Sequence, residues 1–310
     1  MNSRRIGLGT LLCLIASMSW GAMFPVAHLA LQSIDPLYFS FLRYFFVTLL
    51  LVPLLFIKEG KSAFRMEGKG KQLLFYGTMG FTLYNFMIFS GQQLMGEAGT
   101  IIASIMEALM PMISIVLIWV STRKSPSAAI WISILTAFAG AMLVITNGSL
   151  SFFSMIQDHF FPVMLIFLGA VGWVLYSMGG SSFPRWSVLR YSTITCLLGT
   201  VVSFVVVAAA SLFQWLPVPQ WEDVVSIKYH LLFMVLFPGL TALLSWNAGM
   251  KWLSPANGIL FICLVPVTTF VLMAVQGYEI SLNEFYGTLL VVFALIQNNF
   301  YQRKAQKLHN

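Results

Sequence analysis

Glu107 lies about ten residues into an apolar run at 98–120, which at 1.5 Å per residue puts it about 15 Å deep, near a bilayer centre. A charge at that depth costs roughly 2.5–3.5 kcal/mol on insertion scales. Glu107 must therefore face a cavity, be paired or be protonated. Two readings stand: it contacts a substrate ammonium or carries a coupling proton, or it is a hydrogen-bonding residue between helices. Arg43 lies within the run at 37–57, on the order of 10 Å below its outer end. A Glu107–Arg43 pair would lower the cost of both charges and offer opposite poles to a zwitterion. Alternatively, Arg43 snorkels to the outer headgroups.

Further polar and aromatic candidates lie in the same kind of run: Trp20, Tyr84, Asn85, Trp173, Tyr176, Trp246, Asn247 and Asn257. Amides and rings can orient a ligand while apolar walls bury it. The plainer reading is that the rings anchor at interfaces and the amides tie helices together. Pro111 and Pro266 break the backbone hydrogen-bond ladder and are candidate hinges, or simply shape a cavity. Gly169 with Gly172 marks a close helix approach.

Enzyme chemistry finds little support. Gly60-Lys61-Ser62 lacks the first glycine of a phosphate loop, because Leu55 stands there. No protease or esterase motif is present, and His28, His159, His230 and His309 lack metal-ligand spacing. Cys13, Cys196 and Cys263 are scattered through apolar runs and read as packing residues. No cofactor or metal is expected.

The elements that position these residues follow from composition. The chain is 59% hydrophobic and 9% charged, with a mean hydropathy of +0.86; a soluble domain is typically about 25% charged. Ten runs are long enough to span a membrane, at 6–25, 37–57, 73–91, 98–120, 128–146, 161–182, 190–213, 230–249, 255–275 and 285–301. They are continuous rather than alternating, which excludes barrel strands. Fifteen of the seventeen Lys and Arg fall before the first run, in alternate gaps or after the last. Basic residues stay cytoplasmic during insertion, so both termini are expected inside. The same orientation explains the net charge of +7 without a nucleic-acid partner.

Met110-Pro111-Met112-Ile113-Ser114 is matched 155 residues later by Val265-Pro266-Val267-Thr268-Thr269, and Trp20 is matched 153 residues later by Trp173. A repeat of five helices crosses an odd number of times, so its copies must be inverted, as in secondary transporters. The expected fold is all-α and integral to the membrane, with ten helices as two inverted five-helix repeats. One repeat covers 1–146 and the other 161–301, with an extracytoplasmic connection at 147–160 and a basic cytoplasmic tail at 302–310.

Three stretches carry a family resemblance: Ser19-Trp20-Gly21-Ala22-Met23-Phe24-Pro25, Asp35-Pro36 with Phe41-Leu42-Arg43, and Trp246-Asn247-Ala248-Gly249 through Pro255-Ala256 to Leu264-Val265-Pro266. Glu279 with Gly287 completes the set. The chain resembles ten-helix members of the drug/metabolite transporter superfamily with two EamA-type halves. The resemblance implies export or exchange of small metabolites through a cavity lined by the first, third, fourth, sixth, eighth and ninth helices. It also favours a structural role for Arg43, since the family often has Arg there. Ser121-Thr122-Arg123-Lys124-Ser125 replaces a usual Gly-Glu, and Glu97 and Glu107 lie outside the general pattern.

The sequence therefore reads as a secondary transporter, an exporter of amino acids or related amphipathic metabolites, working by alternating access in the cytoplasmic (inner) membrane. Its partners would be a small-molecule substrate, the lipid bilayer and, if Glu107 titrates, protons; it would act as a monomer or homodimer. The rival is a non-transporting polytopic protein, either an intramembrane enzyme or a structural subunit.

Overall fold

The computed structural model describes residues 3–123, 125–148, 152–253, 261–262 and 264–309; among them there is helix and no strand. The elements are α1 (Ser3–Ala30), α2 (Pro36–Glu59), α3 (Gly70–Gly77), α4 (Tyr84–Thr122), α5 (Ala128–Thr146), α6 (Phe152–Gly179), α7 (Val188–Leu212), α8 (Trp221–Ser226), α9 (Lys228–Met234), α10 (Ala242–Leu253), α11 (Leu264–Val275) and α12 (Leu282–His309). Six helical stretches are long and apolar enough to cross a membrane, and two shorter apolar helices accompany them.

The longest stretch, Gly70–Thr122, has 53 residues. A straight helix of that length would measure roughly 80 Å, more than twice a bilayer's hydrocarbon thickness. It is broken at Gly96, whose φ of 60° and ψ of −131° are open only to glycine. The break falls between the runs expected at 73–91 and 98–120. Two further irregularities are π-helical turns, Thr78–Leu83 joining α3 to α4 and Val235–Thr241 joining α9 to α10. The second contains Pro238, which has no N–H to give to the ladder. Helix α6 begins at Phe152, nine residues before the expected run at 161.

The chain divides into two compact units. Unit 1 takes the described residues of Met1–Pro25, Met95–Val163 and Ser245–Asn310; unit 2 takes Val26–Leu94 and Met164–Leu244. In unit 1, α5 packs along α12 at Gly140 and Gly287, where a Cβ on either would lie 2.6 Å from the other's carbonyl oxygen. Side chains finish the end of the pair where α5 stops and α12 starts. Ser281 and Glu284 form a reciprocal cap on α12, at 2.8 and 3.1 Å, while Asn147 ends α5 in the left-handed region. Ser281 Oγ donates to Asn147 Oδ1, and Asn283 Nδ2 to Asn147 O, both at 2.7 Å.

In unit 2, α7 packs on α2 and α3. Gly77 and Gly199 let the α3 and α7 backbones touch, so that a Cβ on Gly77 would meet Thr195 O and one on Gly199 would meet Gly77 O. Polar links then cross the contact. Thr82 Oγ1 donates to Gly199 O at 2.8 Å, and Thr48 Oγ1 lies 3.0 Å from Thr200 Oγ1 and 3.3 Å from Cys196 Sγ.

At one end of unit 2 the segment after α2 is clasped to the start of α7. The Arg190 guanidinium donates to Ala63 O, Arg65 O and Glu67 Oε1 at 2.7, 2.6 and 2.7 Å, and lies 3.8 Å from the Trp186 ring centroid. Trp186 Nε1 donates to Glu67 Oε2 at 3.1 Å, and Lys69 Nζ to Ser182 O at 2.9 Å. The basic residues Lys58–Lys71 and Arg185–Arg190 predict one membrane face for both segments, and the two segments meet here. The bond from Trp186, then that from Arg190, holds the Glu67 carboxyl below its ordinary pKa.

Two predictions follow from this packing. Gly77→Ala and Gly199→Ala each lose about 1–3 kcal/mol through overpacking of backbone on backbone, read as a lower Tm in detergent. Gly70→Ala, whose Cβ would meet only Met66 Sδ at 3.4 Å, leaves Tm unchanged. For the clasp, a depressed folded pKa means that the contribution of Glu67 is complete above the ordinary carboxylate pKa of about 4.3 and fades as pH falls through the depressed value. The Tm difference between wild type and Glu67→Gln is therefore present at neutral pH, narrows in acid and shrinks with salt. A difference that widened in acid would be incompatible with the ion pair.

Candidate functional site

Four of the candidate residues converge in unit 2. Tyr84 and Asn85 stand where the first π-helical turn meets α4, and Trp173 and Tyr176 lie on α6. Ring centroids are 5.0 Å apart for Tyr84–Trp173 and 5.1 Å for Trp173–Tyr176. Phe81 adds an edge contact to Tyr176 at 4.9 Å, and Tyr191 of α7 stacks on its other side at 5.3 Å and 14°. Aromatic pairs in this range add about 0.5–1.5 kcal/mol beyond burial. The glycines make the approach possible: a Cβ on Gly169 would lie 3.0 Å from Tyr84 O, one on Gly172 2.9 Å from Met79 O, and one on Gly80 2.5 Å from Tyr176 Cγ. Hydroxyls complete the cluster, with Tyr191 donating to Tyr176 O at 2.7 Å and Tyr176 to Ser192 Oγ at 3.4 Å.

The first π-helical turn decides how Asn85 is used. Asn85 Nδ2 donates back to Gly80 O and Phe81 O at 3.3 and 3.2 Å. Both donors are thereby spent on the turn, and Oδ1 is left facing Arg43, whose Nη1 donates to it at 3.2 Å. Arg43 is 1% exposed and is the bulkiest of the fully buried side chains among the described residues, so it does not snorkel. Its guanidinium lies 4.9 Å from the Tyr44 centroid and 5.9 Å from that of Phe89. Such contacts give about 0.5–2 kcal/mol, whereas burying the ion costs several kcal/mol.

Unit 1 holds the other candidates. Trp20 and Trp246 pack with centroids 5.3 Å apart at 56°. Next to Trp20, Gly21 lets α1 meet α11, where Thr269 Oγ1 donates to Gly21 O at 2.8 Å. Glu107 is buried at 3% exposure in α4, while Asn247 is half-buried in α10. Helix α4 continues through Pro111, and Ser114 Oγ donates to Pro111 O at 2.6 Å. Pro266 is buried within α11. Asn257 lies outside the described residues. Arg43 and Glu107 belong to different units.

Comparison with known proteins fits this architecture. The profile of the EamA-like transporter family matches the chain twice, over residues 7–146 and 160–300. The chain belongs to the EamA-like transporter family. Its relatives include the uncharacterized transporter YrdR of Bacillus subtilis (strain 168), 52% identical over 304 residues, covering 98% of this chain and 95% of that protein. The uncharacterized transporter YyaM of the same organism is 25% identical over 281 residues, covering 90% of each. A solved crystal structure superposes with a TM-score of 0.64 at 18% identity, covering 94% of this chain and 97% of the other, which supports the fold alone. This EamA-family chain is thus a multi-pass membrane protein of a transporter family, built from two family copies and all-helical in its described residues.

The sequence pointed to Tyr84, Asn85, Trp173 and Tyr176 but not to the residues that hold them. Tyr44, Phe81 and Tyr191 were missed because single aromatics in apolar runs look like ordinary packing. The buried polar line Ser192, Thr193, Thr195, Thr200 and Ser203 on α7 was legible as a stripe of hydroxyls in an otherwise apolar run. Thr200 meets Thr48 of α2, Ser203 meets Thr82 of the first π-helical turn, and Ser192 meets Tyr176 of α6.

Proposed function

We propose that this protein is a secondary transporter that exports small organic metabolites, amino acids or related amphipathic compounds, across the cytoplasmic membrane. The observation that carries the reading is the double match to one transporter family over nearly the whole chain. Two relatives named as transporters support it. The alternating basic residues support ten crossings, inverted copies and both termini inside. In this reading the two copies give alternating access around a midplane site. Trp20, Tyr84, Asn85, Trp173, Tyr176, Trp246, Asn247 and Asn257 contribute to substrate binding, and Glu107 contacts the substrate's cationic group or carries the coupling proton.

Neither copy folds as a body of its own. Unit 1 combines 7–25 and 95–146 of the first copy with 160–163 and 245–300 of the second, and unit 2 combines 26–94 with 164–244.

Untargeted metabolite profiling of cells with and without the gene is expected to show a solute that accumulates inside when the gene is lost; no change under any condition would defeat the reading. With that solute in proteoliposomes, an imposed pH gradient drives flux through the wild type and not through Glu107→Gln. Equal gradient-driven flux in both would remove Glu107 from coupling.

A further inference from the structure

We propose that residues 212–229 of unit 2 form a docking surface for phospholipid, on which Phe213, Trp215, Val218 and Trp221 sit at the boundary between headgroups and acyl chains. The proposal rests on the chain spanning a membrane and not on what it transports.

The backbone here is fixed on both sides of the exposed rings. Helix α7 ends where Gln214 enters the left-handed region at a φ of 59°. The Trp215 and Leu216 N–H groups then turn back to Ala210 O at 2.9 and 3.2 Å. Leu216 goes inward: it is 7% exposed and packs with Phe86 of α4 and Val207 of α7, and Leu37 and Phe41 of α2 lie against them. Tyr38 of α2 and Ser211 of α7 tie the same corner through their hydroxyls, 2.6 Å apart. Further on, the Gln220 N–H donates to Asp223 Oδ2 at 2.9 Å to start α8, and Ile227 is buried again. Between these pins, Pro217 and Pro219 lock two more φ angles.

A segment held in this way cannot withdraw its large apolar side chains. Trp215 and Trp221 are 81% and 74% exposed, Val218 is exposed between them, and the exposed Phe213 ring lies 5.5 Å from that of Trp215. Apolar groups gathered like this mark an interaction surface rather than a solvated one. The helix that leads into the segment specifies lipid as the occupant. Val188–Leu212 is long and apolar enough to cross a membrane. Its exposed Val201, Val205 and Leu212 are spaced by four and seven residues, so they form one face of α7, and that face leads into Phe213. Depth agrees. Arg190, held by the clasp, belongs outside the hydrocarbon, and Leu212 stands twenty-two residues later. That distance is about 33 Å, against about 30 Å of hydrocarbon. The rings that follow therefore fall at headgroup level, where an apolar body with a wet polar edge is favoured. Lys228, its Nζ 5.0 Å from the Tyr229 centroid, adds a cation there, but Glu222 and Asp223 offset it. The rings rather than the charges make the contact, so a zwitterionic lipid suffices.

The test uses the full-length protein in phosphatidylcholine nanodiscs. Subtracting the tryptophan emission of Trp215→Phe or Trp221→Phe from that of the wild type isolates each ring. The lipid carries bromine either near the headgroup end of its acyl chains or near their terminal methyls, and iodide is the aqueous quencher. Shallow bromine is expected to quench both rings about twice as strongly as deep bromine, as for side chains about 5–10 Å into the interface. Iodide is expected to quench them less than it quenches free tryptophan. Quenching by iodide and by neither lipid would place the rings in water and overturn the proposal. Rings reached by no quencher would be covered by protein, whether another part of the chain or a second copy, and would overturn it equally. Leu216→Ala removes the inward pin and is expected to weaken quenching by shallow bromine and strengthen that by iodide; an unchanged pattern would mean that no fixed surface directs the rings. Should Leu216→Ala fail to fold, Val218→Asp alters an exposed position and leaves the pin in place. It is expected to lift both rings toward water, and unchanged shallow quenching in that variant overturns the proposal.

Discussion

A polar atom inside an apolar helix bundle has no water to turn to, and in unit 2 this constraint explains where the helices depart from regular geometry. The π-helical turn Thr78–Leu83 loosens the backbone ladder, and Asn85 Nδ2 returns to accept that looseness by bonding Gly80 O and Phe81 O. One side chain thus repairs the turn and, through its remaining oxygen, receives Arg43. Thr82, within the same turn, sends its hydroxyl to Gly199 O and receives that of Ser203 at 3.1 Å. The irregular turn, the buried cation and the α7 hydroxyls form one connected polar system in a region where every unsatisfied group costs several kcal/mol.

That system needs short distances between helices, and glycine supplies them. Gly77 and Gly199 bring α3 and α7 to backbone contact, while Gly169 and Gly172 admit the backbone of the π-helical turn and α4 to α6. Lipid chains are as apolar as leucine, so helices in a membrane gain little from burying apolar surface against each other. Close packing and internal hydrogen bonds must do the work, and both require small residues at the crossing. The aromatic cluster around Tyr176 sits directly on Gly80. A methyl group at that position would displace the ring on which Phe81, Trp173 and Tyr191 converge.

Much of this was legible in the sequence, and the parts that were not share a cause. Hydropathy marked where helix would form, and the repeated Pro and Trp positions announced two related copies, because both signals are carried by local residue types. Asn85, Trp173 and Tyr176 stand out as polar or amphipathic groups in apolar runs; the two rings pack together, while Asn85 bonds to Gly80 O, Phe81 O and Arg43. The first π-helical turn gave no comparable signal: Thr78–Leu83 has neither proline nor charge, and it is packed against Gly172 and Tyr176 of α6 and Gly199 of α7. The burial of Arg43 was equally hidden. Depth can be counted along a sequence, but whether a long side chain turns inward or climbs to the surface depends on Tyr44, Phe89 and Asn85, one of them adjacent and two more than forty residues away. The division into units could not be read either, since it cuts across both copies.

That division gives the irregularities a common logic. The chain passes between units at 25/26, 94/95, 163/164 and 244/245. Pro25 stands at the first passage inside α1, Gly96 breaks the helix beside the second, Pro162 precedes the third inside α6, and the π-helical turn with Pro238 ends at Thr241, just before the fourth. Pro111 and Pro266 both lie within unit 1. A regular helix resists bending because each turn is tied to the next by hydrogen bonds, and bends concentrate where proline, glycine or a π-helical turn has already removed a tie. The chain thus carries its weakened helical turns at those four passages. Elsewhere, as at Gly77 and Gly199, it keeps the backbone contacts tight.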